Sequence, residues 1–108
     1  MAGSADRLPS ISVTESLIVE LLQGGERFGL ELVEASDGRL KRGTIYVTLS
    51  RMEAKGFVVS RQERQEERQP GAIGLPRRMY EVTAYGLKVY EAYLLLREAL
   101  SLRPAEAR

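Results

Sequence analysis

Cysteine and histidine are both absent from the 108 residues of this chain. Their absence excludes disulfides and thiolate metal sites, and it removes the usual zinc ligands and the commonest general base. Tryptophan is missing too, and aromatic side chains make up only 6% of the residues. No apolar run reaches membrane-spanning length and the start shows no signal-peptide pattern, so the expectation is a cytoplasmic protein. A Gly-rich phosphate loop, an activated nucleophile and a metal-spaced ligand set are all lacking. The densest carboxylate cluster, Glu63, Glu66 and Glu67, lies among arginines. These absences predict a protein that is not an enzyme and uses neither cofactor nor metal.

The net charge of +1 hides a segregation. Residues 39–78 hold ten basic side chains against four glutamates, whereas the rest of the chain holds 6 basic and 11 acidic ones. A positively charged middle suits a polyanionic partner; a solvated charged loop would give the same count. The length predicts one domain with a modest core.

Ser12-Val13-Thr14-Glu15 reads as a capping box, followed by Leu17, Ile18, Leu21 and Leu22 on one helical face. Gly24-Gly25 ends this helix. A second helix is expected from about Glu26 to Ser36, with Leu30 and Val33 on one side and the Asp37-Gly38 turn after it. A third spans roughly Arg42 to Lys55, closed by Gly56. At about 100° per residue its Ile45, Leu49 and Met52 share a face. The opposite arc holds Gly43, Thr44, Val47, Ser50, Arg51 and Ala54, a small, hydroxylated and basic surface that can approach a duplex closely. A strand from Phe57 to about Arg64, a polar then Pro/Gly-rich loop at 65–76 with a floppy tip, and a return strand Arg77–Val82 follow. The expected core is Leu17, Leu21, Leu22, Leu30, Ile45, Leu49, Met52, Val58, Val82 and Leu87. Gly29 and Gly86 are read as close-packing positions, Gly86 near a dimer seam.

Thr83 caps a last helix that runs to about Leu102, before the residue preceding Pro104. Leu87, Tyr90 and Leu94 form one apolar stripe on it. Val89, Tyr93, Leu96 and Leu100 form a second, coiled-coil-like seam at 4-3-4 spacing. One stripe suffices for the domain, so the other predicts a homodimer.

Two blocks carry a family resemblance: Gly43-Thr44-Ile45-Tyr46-x-Thr48-Leu49-x-Arg51-Met52-Glu53-x-x-Gly56 and Arg78-x-Tyr80-x-x-Thr83-x-x-Gly86. With the first helix and Arg27-Phe28-Gly29-Leu30-Glu31-Leu32, they make the chain resemble PadR-family winged-helix regulators over about residues 14–93, in the branch with a short, single C-terminal helix. The resemblance implies a dimer that binds operator DNA, commonly as a repressor, and is released when a hydrophobic or phenolic effector binds near the dimer interface. Two departures from the family pattern are Lys41, where serine is frequent, and Val47, where proline is frequent after the motif tyrosine. Tyr90 and Tyr93 could supply the effector pocket, since no tryptophan is available for stacking.

The resulting expectation is a mainly α fold with a small β-hairpin wing: a winged helix-turn-helix at 11–83 and a dimerisation helix at 84–103, between a mobile tail at 1–10 and another at 104–108. The expected DNA-binding residues are Lys41, Arg42, Thr44, Tyr46, Thr48, Ser50, Arg51 and Lys55 around the third helix, and Arg61, Arg64, Arg77 and Arg78 on the wing, of which two are expected to touch backbone or minor groove and the others to be solvated or paired with Glu63, Glu66 or Glu67. The expected dimer interface is Val89, Tyr93, Leu96 and Leu100. A homodimeric repressor on a pseudo-palindromic site follows. The alternative is a winged-helix adaptor whose basic face docks an acidic protein.

Overall fold

The computed structural model describes residues 7–101. In chain order it contains helix α1 (Val13–Leu22), strand β1 (Arg27–Phe28), helix α2 (Gly29–Ala35), helix α3 (Ile45–Ala54), strand β2 (Val58–Gln62), a 3₁₀ turn (Gln65–Glu67), strand β3 (Arg78–Val82) and helix α4 (Ala84–Leu100). Residues 1–6 of the tail expected at 1–10, the tail expected at 104–108 and the last residues assigned to the long helix lie outside the described residues.

Helix α1 begins at the capping box: the Ser12 hydroxyl accepts from the Glu15 N–H at 3.0 Å, and the Ser12 N–H donates to Glu15 Oε1 at 2.9 Å. After the Gly24-Gly25 break the chain does not enter a helix at Glu26. Arg27 and Phe28 are extended and pair with Tyr80 and Met79 of β3. The wing is therefore a three-stranded antiparallel sheet in the order β1-β3-β2, not a lone hairpin. This partner strand of two residues carries no periodicity of its own; it exists because β3 offers it hydrogen bonds. Its effect is to start α2 three residues later than expected. That shift moves Leu32, not Leu30, into the core: Leu32 is fully buried and Leu30 is 38% exposed.

Ser36 shapes the turn between α2 and α3. Its buried hydroxyl donates to the Val33 carbonyl at 2.7 Å and accepts from the Leu40 N–H at 2.8 Å. Regular α3 geometry begins at Ile45, after a turn at 42–44, and its Ile45, Leu49 and Met52 face is buried as the spacing predicts. Ile18, Val19, Phe57, Val58 and Tyr80 complete the centre of the core, while Leu21, Val82 and Leu87 sit half-buried at its edge.

Thr83 caps α4, accepting from the Gly86 N–H at 2.9 Å. Gly86 packs against the Phe57 backbone, where a Cβ would overlap the Phe57 carbonyl. The close packing it permits is thus within the domain. The two stripes on α4 also divide differently from expectation. Val89 and Tyr90 are both buried in the domain, whereas Leu94, Leu95, Leu96 and Leu100 are exposed. The split runs along the helix axis, first half in and second half out, because α4 outruns the body it packs on. The described residues accordingly extend 63 Å in their longest direction.

Candidate nucleic-acid interface

Helix α3 is held by its buried face, which leaves the other side free. Thr44, Val47, Ser50, Arg51 and Ala54 are exposed and Thr48 is half-buried. Among the described residues, the guanidinium groups of Arg42 and Arg51 have neither an ion-pair nor a hydrogen-bond partner within the protein. The Lys41 ammonium donates to the Gly38 carbonyl, at 3.0 Å. Thr48 turns its hydroxyl back to the Thr44 carbonyl at 3.1 Å, so part of its hydrogen-bonding capacity is used within the helix. Tyr46 is about half exposed, at 48%. Its ring lies over Gly29 so closely that a Cβ there would meet it at 2.6 Å. Gly29 thus seats the tyrosine at the rim of the free face.

Lys55 departs from the expectation that it flanks DNA. Its ammonium points inward, 3.0 Å from both carboxylate oxygens of Glu15 and 3.1 Å from the Ser10 carbonyl. It also lies 5.4 Å from the centre of the Phe57 ring. The Glu15 side chain is only 2% exposed, so Lys55 neutralises a buried charge. One residue therefore ties the end of α3 to the start of α1.

The wing cations are similarly divided. Arg61 forks between two carboxylates, with contacts of 2.9 Å to both oxygens of Glu26 and of 3.0 and 2.9 Å to those of Glu67. These partners hold its charge more firmly than usual. Glu67 is pulled down to about 2, first by the Arg61 hydrogen bonds and then by the Arg64 N–H. The Arg77 guanidinium carbon sits over the Phe28 ring, 3.7 Å from its centre. Its N–H donates to Glu63 at 2.9 Å, and its guanidinium and the Arg68 Nε reach the same carboxylate at 3.3 and 3.6 Å. Glu63 is buried and its pKa is lowered, chiefly by that N–H. The loop expected to be floppy is thus fastened at its base and carries the Gln65–Glu67 turn, with Ile73 and Leu75 almost fully exposed at its tip.

Arg64 and Arg78 remain outward. Arg64 is 65% exposed and only 3.7 Å from Glu67. Arg78 donates to the Ser60 hydroxyl, which donates to Glu53 on α3, so the wing is braced against that helix.

The two tyrosines expected to share an effector pocket face different ways. Tyr93 lines an apolar groove of about 460 Å³ between residues 8–11 and the Tyr85, Val89 and Leu96 side of α4. Tyr90 is buried toward Glu20, and burial raises its pKa. Among the described residues no group of three or more acidic, histidine or cysteine side chains could hold a metal ion, and no helix is long and apolar enough to cross a membrane.

A short helix pair, an outward helix with unpaired cations and a braced three-stranded sheet beside it define a winged helix-turn-helix. Comparison with known proteins takes this further. The profile of the transcriptional regulator PadR-like family matches residues 18–92. The chain belongs to that family, whose members are transcriptional regulators and not enzymes. Among solved structures, it is similar to a PadR family transcription regulator from Clostridium difficile R20291, with a TM-score of 0.65 and 27% identity over 80% of this chain and 88% of that one. A Streptococcus mutans UA159 protein shares the fold with a TM-score of 0.66 at 17% identity, covering 89% of this chain and 88% of its own. Bacillus subtilis PadR, solved in complex with operator DNA, gives 0.66 at 23% identity over 80% of this chain; the match spans 48% of that longer protein. No curated protein matches.

Proposed function

We propose that this chain is a sequence-specific DNA-binding repressor that acts as a homodimer on a pseudo-palindromic operator. The observation that carries the reading is the free face of α3, where Arg42 and Arg51 are exposed and unpaired while neighbouring cations are consumed within the fold. Arg51 reaches a base edge. Lys41, Arg42, Thr44, Tyr46, Thr48 and Ser50 serve that helix with phosphate or groove contacts, and Arg64 and Arg78 add wing contacts. Lys55, Arg61 and Arg77 act indirectly, by holding α3 and the wing in place.

The second subunit covers the projecting half of α4, where Leu96 and Leu100 are 58% and 70% exposed, with Tyr93 and the rim residue Val89 nearby. This divides the chain into a DNA-binding unit at 11–83 and a dimerisation helix whose first half also serves the core. An apolar or aromatic effector would enter the groove at Tyr93 and loosen the dimer from DNA. The test is anisotropy on DNA from the protein's own promoter and on shuffled duplex. A preference for promoter DNA with steep salt dependence is expected; equal affinity for both would contradict the proposal. Light scattering of wild type and Leu96→Glu/Leu100→Glu tests the dimer: two copies are expected for the former and one for the latter. An adaptor docking an acidic protein would use the same cations without preferring any duplex.

A further inference from the structure

We infer that Val47 is a specificity residue that reads the methyl group of a thymine, two base steps from a guanine read by Arg51. The inference rests on the reading above, that α3 enters the major groove. Val47 lies about 200° around the helix from Ile45, so it occupies the middle of the free face. It is 60% exposed. Its neighbours on that face are Gly43, Thr44, Ser50, Arg51 and Ala54, so Val47 is the largest apolar side chain there. A β-branched residue gains nothing for an exposed helix, where alanine is the better helix former. What it offers is two methyl groups held in one rotamer. Small flanking residues let the backbone come close enough to use them.

In the major groove only thymine presents a C5-methyl group, and apolar contact with it separates thymine from the other bases. Arg51 follows one helical turn later, about 6 Å along the axis. Bases stack about 3.4 Å apart, so the two side chains address positions about two base pairs apart. The bidentate partner of Arg51 is guanine O6 and N7. The outward face of α3 has neither asparagine nor glutamine, the residues that read adenine in the same way. A half-site with a methyl contact beside a guanine contact is the consequence.

The experiment starts from a randomised duplex pool enriched with wild-type protein. Each thymine of an enriched 30-base-pair duplex is then replaced singly by deoxyuridine, which removes the methyl group and keeps the pairing. Wild type should lose about fourfold in affinity at one thymine per half-site, the worth of one buried methyl. Val47→Ala should lose nothing at that position and should melt no lower than wild type. The inference is overturned if no single replacement weakens wild type, or if Val47→Ala is as sensitive as wild type at the same thymine. Failure of the pool to enrich at all would overturn the sequence-specific reading as well, which separates the two failures.

Discussion

Helix α3 and the wing carry cations of the same kind in opposite states. Arg51 on α3 and Arg42 in the turn before it are unpaired; on the wing two of four arginines are locked onto carboxylates, Arg61 between Glu26 and Glu67 and Arg77 on Glu63. The count of basic residues in 39–78 therefore overstates the charge available to a polyanion. A guanidinium already satisfied by two carboxylates has little to gain from a phosphate. Its contribution is to rigidity, and rigidity of the wing sets where Arg64 and Arg78 point.

The largest expected effect on this contrast comes from Arg51→Ala. It should lower affinity for promoter DNA about 5- to 150-fold, relax the preference at one base pair and leave the melting temperature near wild type, as read by anisotropy and calorimetry. Lys55→Ala should behave in the opposite way. By stranding the buried Glu15 carboxylate it should cost about 1–3 kcal/mol in urea unfolding, while the folded variant keeps its base preference. A smaller difference separates two wing arginines. Arg64→Ala should reduce the slope of log affinity against log salt by about 1, and Arg61→Met should leave that slope unchanged. A loss of slope in Arg61→Met would erase the distinction between locked and exposed cations.

The smallest effect is on pH dependence. Glu67 sits at about 2 against an ordinary 4.5, so its contribution to stability is complete above about pH 4.5 and is lost as pH falls toward 2. Glu63, also depressed, adds in the same direction. Amide protection at residues 61–67, taken relative to the intrinsic exchange rate at each pH, should fall across that interval in wild type. In Glu67→Gln it should be lower already at neutral pH and respond less to acid.

What could be read from the sequence was what local chemistry determines. The Ser12–Glu15 box, the buried Ile45, Leu49 and Met52 face and the Thr83 cap each involve residues three to seven positions apart, and each is found as expected. The misread features are long-range. The Lys55–Glu15 tie spans 40 residues and the Arg61–Glu26 contact 35, so neither could be read from neighbours in the chain; the pairing of two wing arginines with Glu67 and Glu63 is the part that nearby carboxylates made legible. Strand β1 is created by β3, some fifty residues later. Leu30 was exchanged for Leu32 for the same reason, since the position of β1 sets the phase of α2. On α4, period alone grouped Val89 with the exposed Leu96 and Leu100; in the fold it is buried in the domain, a few residues after the point where Gly86 packs against Phe57.

The most direct measurement is a heteronuclear NMR titration of the protein with a duplex from its own promoter. The amides of Thr44, Val47, Ser50 and Arg51 should shift most, Arg64 and Arg78 less, and those of Glu15, Lys55 and Arg61 least. Shifts concentrated at Lys55 and Arg61, with the outward side of α3 silent, would contradict the assignment of that side as the surface that reads DNA.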